Sequence, residues 1–369
     1  MKTETTKQGW REVLRLVWAI AAKDIAGAIR NKMTLTIAGA TICTVMLSQA
    51  LPFLLNVSGK SIVVVYDLGD SSLTAALGES DQFQMRSVDS LEAMEERLVD
   101  LNARALGIVV PADLDDTLAA GEVGHVDGYV TWAKRGKARA LRADFEQQAE
   151  ELMGQPVRVD YGDGQSSIVY PAPDSPGVLG MFAGTVVMVV FLVGCFVTPY
   201  LMIEEKQAKT LEALLISPAG VGQVVAGKAL VGLFYCLIAS GVAIGFQWAA
   251  VVHWGLVITM IVLGGLCVVA VGLLLGNLFD DPQKMGFWVA IPMMVLFSSM
   301  FLTDLNLAMP PFLSILIDWL PTTAMTRVVR LSFSQGASMA QALPEFGMVA
   351  GCALVLYGVV IWQVRRMDR

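Results

Sequence analysis

The stretch GQVVAGKA holds Gly222, Gly227 and Lys228 at the spacing with which a phosphate-binding loop wraps a nucleotide. Such a loop also needs a preceding strand, free backbone N–H groups and a Ser or Thr hydroxyl for Mg²⁺. Position 229 is Ala, and the stretch opens a long apolar run, so it is not read as a nucleotide site. Lys228 reads instead as a base snorkelling to the aqueous edge of a membrane span. No other nucleotide-binding signature occurs, so work driven by ATP must come from another chain.

The remaining reactive side chains are sparse. Asp67 and Asp70 close the apolar run IVVVYDLGD and could hold a cation or phosphate, but with no second acidic cluster at ligand spacing they read as strand-end turn chemistry. His125 and His253 stand far apart, so neither a Ser-His-Asp set nor a metal cluster can form around them. Cys43, Cys195, Cys236, Cys267 and Cys352 all fall in apolar runs and read as small buried hydrophobes; no disulfide or zinc spacing exists.

One polar segment has more pattern than a turn requires. Glu204 and Glu205 end an apolar run abruptly, since a carboxylate inside the bilayer costs several kcal/mol. Lys206 follows, then Thr210, Leu211, Glu212, Leu214, Leu215 and Pro218. Leu211, Leu214 and Leu215 share one face of a short helix that Ser217 and Pro218 stop. That face fits either a groove on a partner or the lipid surface.

These residues sit on elements the composition makes explicit. Of 369 residues 55% are hydrophobic and only 16% charged, far more apolar surface than a water-soluble core can hide. The apolar residues gather at 33–55, 178–203, 224–250, 255–279, 285–303 and 346–364. The first is 23 residues without a charge, about 34 Å of helix against a hydrocarbon core of about 30 Å. It is too long for a signal-peptide core and is expected to stay in the chain. The expected fold is therefore an α-helical polytopic membrane protein with about six transmembrane helices.

Between the first and second spans, 56–177 reads as an inserted small α/β extracytoplasmic domain. It holds 21 acids against 10 bases, net −11 of a total of −7, which leaves the rest of the chain at +4. Strands are expected at 61–66, 105–111, 125–132 and 157–161, and helices at 89–102 and 134–153. Lys and Arg cluster before the first span and after the last, which places both termini in the cytoplasm, the loop 204–218 with them, and the insert outside. No nucleic-acid footprint is present.

Three further features bear on the membrane. Trp10, Leu14, Trp18, Ala21, Ile25 and Ile29 recur at helical spacing within 1–32, which reads as an amphipathic helix in the cytoplasmic interface. Residues 305–317 are apolar but too short to cross and carry Pro310 and Pro311, so 304–345 reads as an external re-entrant region. Gln49 and Gln247 fall within apolar runs, where they could line a pathway or join helices by hydrogen bonds.

The loop resembles the cytoplasmic loop of type-2 ABC transporter permeases of the export-type (type V) class, which runs roughly E-[KR]-x-x-G-T-L-E-x-L-L-x-x-P. Glu205, Lys206, Thr210, Leu211, Glu212, Leu214, Leu215 and Pro218 match, while Lys209 stands in the glycine's place. The order of elements over nearly the whole chain is similar to that family. The segment WLPTTAMTRVVR resembles its external element, with Pro321 and either Arg327 or Arg330 in the matching places.

The resemblance implies a bacterial inner-membrane permease that binds no cofactor itself, with ATP and Mg on a partner ABC ATPase docked on 204–218. It further implies a second permease copy, identical or paralogous, outward movement of an amphiphilic or hydrophobic substrate, and a periplasmic adaptor as another candidate partner. The competing readings are a membrane sensor whose external domain binds a ligand and signals through a cytoplasmic partner, and a membrane-embedded enzyme. The first would want a cytoplasmic output domain; the second would want paired acids or a nucleophile and base within the spans.

Overall fold

The structure is a computed structural model and describes residues 10–30, 36, 39–40, 42–43, 45–47, 61–80, 83–101, 105–162, 166–173, 178–207, 221–304 and 310–367. Helix α1 (Trp10–Arg30) comes first. The described residues of 33–55 are helical, and the rest of that expected span lies outside the described residues.

A mixed sheet of six strands follows, ordered β2-β1-β3-β4-β5 with β6 paired to β4. The strands are β1 (Ser61–Asp67), β2 (Phe83–Val88), β3 (Ala105–Val110), β4 (Gly124–Thr131), β5 (Val157–Asp160) and β6 (Ile168–Val169). β1 runs parallel to both β2 and β3; β3 and β4 are antiparallel. Between them lie α2 (Ser72–Glu79), α3 (Leu91–Leu101), α4 (Leu114–Ala119) and α5 (Ala138–Met153).

The burial pattern of β1 explains its unbroken apolar sequence. Val63 and Val65 join one core with Leu73 and Leu77 of α2 and Phe145 of α5, while Ile62 and Val64 join another with Met94 and Leu98 of α3. Because side chains alternate along a strand, a sheet covered on both faces requires apolar residues at every position. Asp67 then turns the chain: its carboxylate accepts from Gly69 N (2.9 Å), Ser71 N (2.8 Å) and Ser71 Oγ (2.9 Å). The strand-end reading of this aspartate therefore agrees with the geometry.

The membrane part comprises α6 (Val178–Leu192), a π turn (Val193–Val197), α7 (Thr198–Gln207), α8 (Val221–Gly245), α9 (Trp254–Leu278), α10 (Pro282–Asp304), α11 (Pro311–Asp318), α12 (Pro321–Leu331) and α13 (Leu343–Met367). Four stretches among the described residues are long and apolar enough to cross a bilayer: Leu179–Glu204, Gly222–Gly245, Trp254–Leu278 and Leu343–Arg366. The protein is thus mostly helical and polytopic.

Helix α9 lies at the centre and approaches its neighbours through glycines. A Cβ on Gly272 would stand 2.1 Å from the Gly194 carbonyl oxygen, and one on Gly276 would stand 2.7 Å from Met202 Cβ. Gly272 and Gly276 form a GxxxG pair, the spacing that lets two helix backbones meet in a bilayer. The π turn where they meet precedes Pro199, which has no N–H to offer the carbonyl of Cys195.

The segment after 304 differs from a simple hairpin. It continues into the amphipathic helix α12, whose Thr322, Ala324, Met325, Val328 and Val329 are buried against the bundle. The Ser332 carbonyl then receives the N–H groups of Val252 (3.0 Å) and His253 (2.9 Å), tying this segment to the turn between α8 and α9.

A candidate coupling surface at one end of the bundle

The two ends of the bundle are distinct. At one end the sheet domain docks through Arg135, whose guanidinium lies 3.5 Å over the Trp132 ring and donates from Nη1 to Trp132 O (2.6 Å) and Ala249 O (2.8 Å). Trp132 stacks in turn on Tyr170 at 5.2 Å. Ala249 lies in the short helical turn Trp248–Ala250 beyond the end of α8.

The opposite end carries the first of the candidate loop residues. Lys206, in the last turn of α7, donates from Nζ to the carbonyls of Asn277 (2.8 Å) and Phe279 (3.4 Å) and pairs with the Asp280 carboxylate at 3.0 Å. Gln207 Nε2 adds a bond to Asp280 O at 3.1 Å. The final carbonyls of a helix have no partners within it and carry the negative end of its dipole, so a lysine there satisfies both needs. Asp281 caps α10 in turn, accepting from Gln283 N at 2.9 Å. The end of α7 is therefore fastened to the turn between α9 and α10.

Glu204 is exposed on α7. Glu205 lies on the same helix, its side chain outside the described residues. Thr210, Leu211, Glu212, Leu214, Leu215 and Pro218 also lie outside the described residues. Gln49 does as well. Gln247 stands two residues past the end of α8, where its N–H bonds Ile244 O (2.8 Å), so it sits in a turn and not within the span.

Pro321 occupies the first turn of α12, where a missing N–H costs nothing. Arg327 pairs with Asp318 at an exposed position, and Arg330 lies half-buried three residues further along the helix. His253 and His125 are held apart: the first meets Gln335 O through Nε2 (3.1 Å), the second meets Asp160 through Nδ1 (2.7 Å). Cys195, Cys236 and Cys267 are buried, Cys352 half-buried and Cys43 exposed, which corrects the expectation for Cys43. Among the described residues no three His, Cys, Asp or Glu side chains gather as metal ligands.

Lys228 is a correction. It does not snorkel: its side chain is 5% exposed and pairs at 3.3 Å with Asp24 of α1, itself 8% exposed. The pair sits where α1 crosses the start of α8, with Val17 and Ala21 buried and Ile20 against Gly227. Asp24 continues the Val17, Ala21 stripe at helical spacing, the signal that could have found it, whereas Trp18 points outward with 68% exposure. A buried acid at that position needs a base: the buried Lys228 supplies it at 3.3 Å, and the exposed Lys23 stands further off at 4.0 Å.

Compared directly with individual curated proteins, the chain matches none. The sequence profile of the ABC-2 family transporter protein matches residues 34–362. With that match over most of its length and four apolar helices of spanning length, the chain belongs to the ABC-2 family of transporter proteins, as the multi-pass membrane permease of an ABC transporter.

Proposed function

We propose that this permease is of the export type, crosses the membrane six times with both termini in the cytoplasm, and works outward. Residues 33–55 and α10, 23 residues from Pro282 to Asp304, add two crossings to the four stretches above. The sheet domain then lies outside and the Lys206 end lies inside, as the Lys and Arg flanks favour. The permease receives work through 204–218 from ATP-binding subunits that carry ATP and Mg, and pairs with a second permease copy in an inner membrane. Its substrate is amphiphilic or hydrophobic.

The observation that carries this reading is the fastening of Lys206 to Asn277, Phe279 and Asp280. A push on the loop at 208–220 reaches α7 and the turn between α9 and α10 together, and the π turn ahead of Pro199 gives α6 and α7 a place to bend. In membranes holding the permease with its ATPase, Glu205→Lys combined with Leu214→Asp is expected to abolish substrate-stimulated ATP hydrolysis while the protein still assembles. Full stimulation in that double variant contradicts the assignment.

A further inference from the structure

A groove of about 540 Å³ opens between α9 and α13 at the Lys206 end of the bundle. Leu274 and Leu278 of α9 form one wall; Val359, Trp362, Gln363 and Arg366 of α13 form the other, at the i, i+3, i+4, i+7 positions of a single helix stripe. The lower lining is apolar. At the rim Arg366 stands 5.7 Å over the Trp362 ring, and the Gln363 Oε1 beside it is buried without a donor.

Lys206 has Asp280 and Lys228 has Asp24, whereas Arg366 meets no carboxylate among the described residues and rests on an indole face. A guanidinium offers a planar fork that matches a phosphate, and an indole beside it suits the headgroup layer. Both walls belong to helices of spanning length, which puts the cleft within reach of lipid. An isologous contact of two copies centred here would bring their Arg366 side chains together, which like-charge repulsion opposes.

We propose that this groove is a binding site for an acidic glycerophospholipid, whose phosphate lies on Arg366 and whose acyl chain fills the cleft between Leu274, Leu278 and Val359. Basic pockets between transmembrane helices are suited to such headgroups, and the volume lies within the range of ligand clefts. The site is independent of the coupling loop and of transport direction.

The test uses the full chain in detergent, titrated with phosphatidylglycerol carrying brominated acyl chains. Quenching of Trp362 is read as the difference between the native chain and Trp362→Phe. Saturable quenching is expected, weakened about tenfold by Arg366→Gln through the lost charged contact. Arg365→Gln should change it less than twofold, and Val359→Phe, which fills the cleft without touching the charge, should also remove it. Non-saturable quenching that is the same in Arg366→Gln would make the groove ordinary bilayer contact and overturn the proposal. Displacement by inorganic phosphate at matching concentration, or quenching lost as the chain self-associates, would assign it to a free anion or a second copy and overturn it equally.

Discussion

The Asp24 and Lys228 pair shows why a lysine at a span end cannot be placed from its neighbours in sequence. Seen along α8 alone it lies two turns from the start of the helix, and snorkelling costs little. Its partner lies 204 residues earlier, on a helix whose apolar stripe advertised lipid contact. Breaking such a pair leaves an uncompensated buried charge, so Asp24→Asn or Lys228→Met is expected to cost about 3 kcal/mol, read as a lower Tm in detergent. Replacing both with leucine should cost less than either alone, because no charge then remains buried. Lys206→Met, which frees the last carbonyls of α9, is expected to lose about 1 kcal/mol in the same measurement. Acid should act on the sheet domain. Partial burial would raise the pKa of Asp67, but the Thr74 hydroxyl and the N–H groups of Gly69 and Ser71 hold it below the ordinary value. Glu146 behaves likewise: burial opposes, and the Val159 N–H with Arg142 and Arg158 prevails. Carboxylates with depressed folded pKa values contribute stability that is present above the unfolded value of about 4 and lost as pH falls through the folded one. Amide-exchange protection of β1 and β5 is therefore expected to weaken below about pH 4 while remaining level from there to neutrality.

At the scale of elements, what could be read from sequence tracks how strongly each element declares its own environment. β1, β3, β4 and β5 fall within a residue or two of their expected positions, because β1 and β3 are continuous apolar runs and β4 and β5 alternate buried with exposed residues. β2 was missed: FQMRSV is an edge strand with one outer side open to solvent, so its pattern carries charge and polar residues. The short helices α2 and α4 were missed as well, since eight and six residues are too few to show a period. The π turn has a cause in sequence, Pro199, but nothing in sequence marks the close approach of Gly272 to Gly194 from another helix. Gly272→Val should therefore be expelled by the Gly194 carbonyl, costing about 3 kcal/mol or preventing a monodisperse preparation altogether. A valine at Gly241, whose Cβ would meet nothing within 4 Å, is the matched control and should be tolerated.

For the whole molecule, the apolar runs announced a polytopic membrane protein, and the family match over 34–362 agrees with the resemblance carried by the loop and the order of elements. Sequence could not show that the two ends of the bundle are built differently, because each is assembled from side chains distant along the chain. One end is built by Arg135 reaching Ala249, 114 residues on, and the other by Lys206 reaching Asp280, 74 residues on. A mechanical route follows from those two anchors: work entering at 204–218 would travel by α7 and α9 toward the turn that meets the sheet domain. The route requires the Lys206 end to face the ATP-binding subunits. A single cysteine at position 212, in a background where the five native cysteines are replaced, decides this with a membrane-impermeant maleimide. No labelling is expected in intact cells, with strong labelling in inside-out vesicles and protection there when the ATP-binding subunits are bound. Labelling of that cysteine in intact cells would contradict the route.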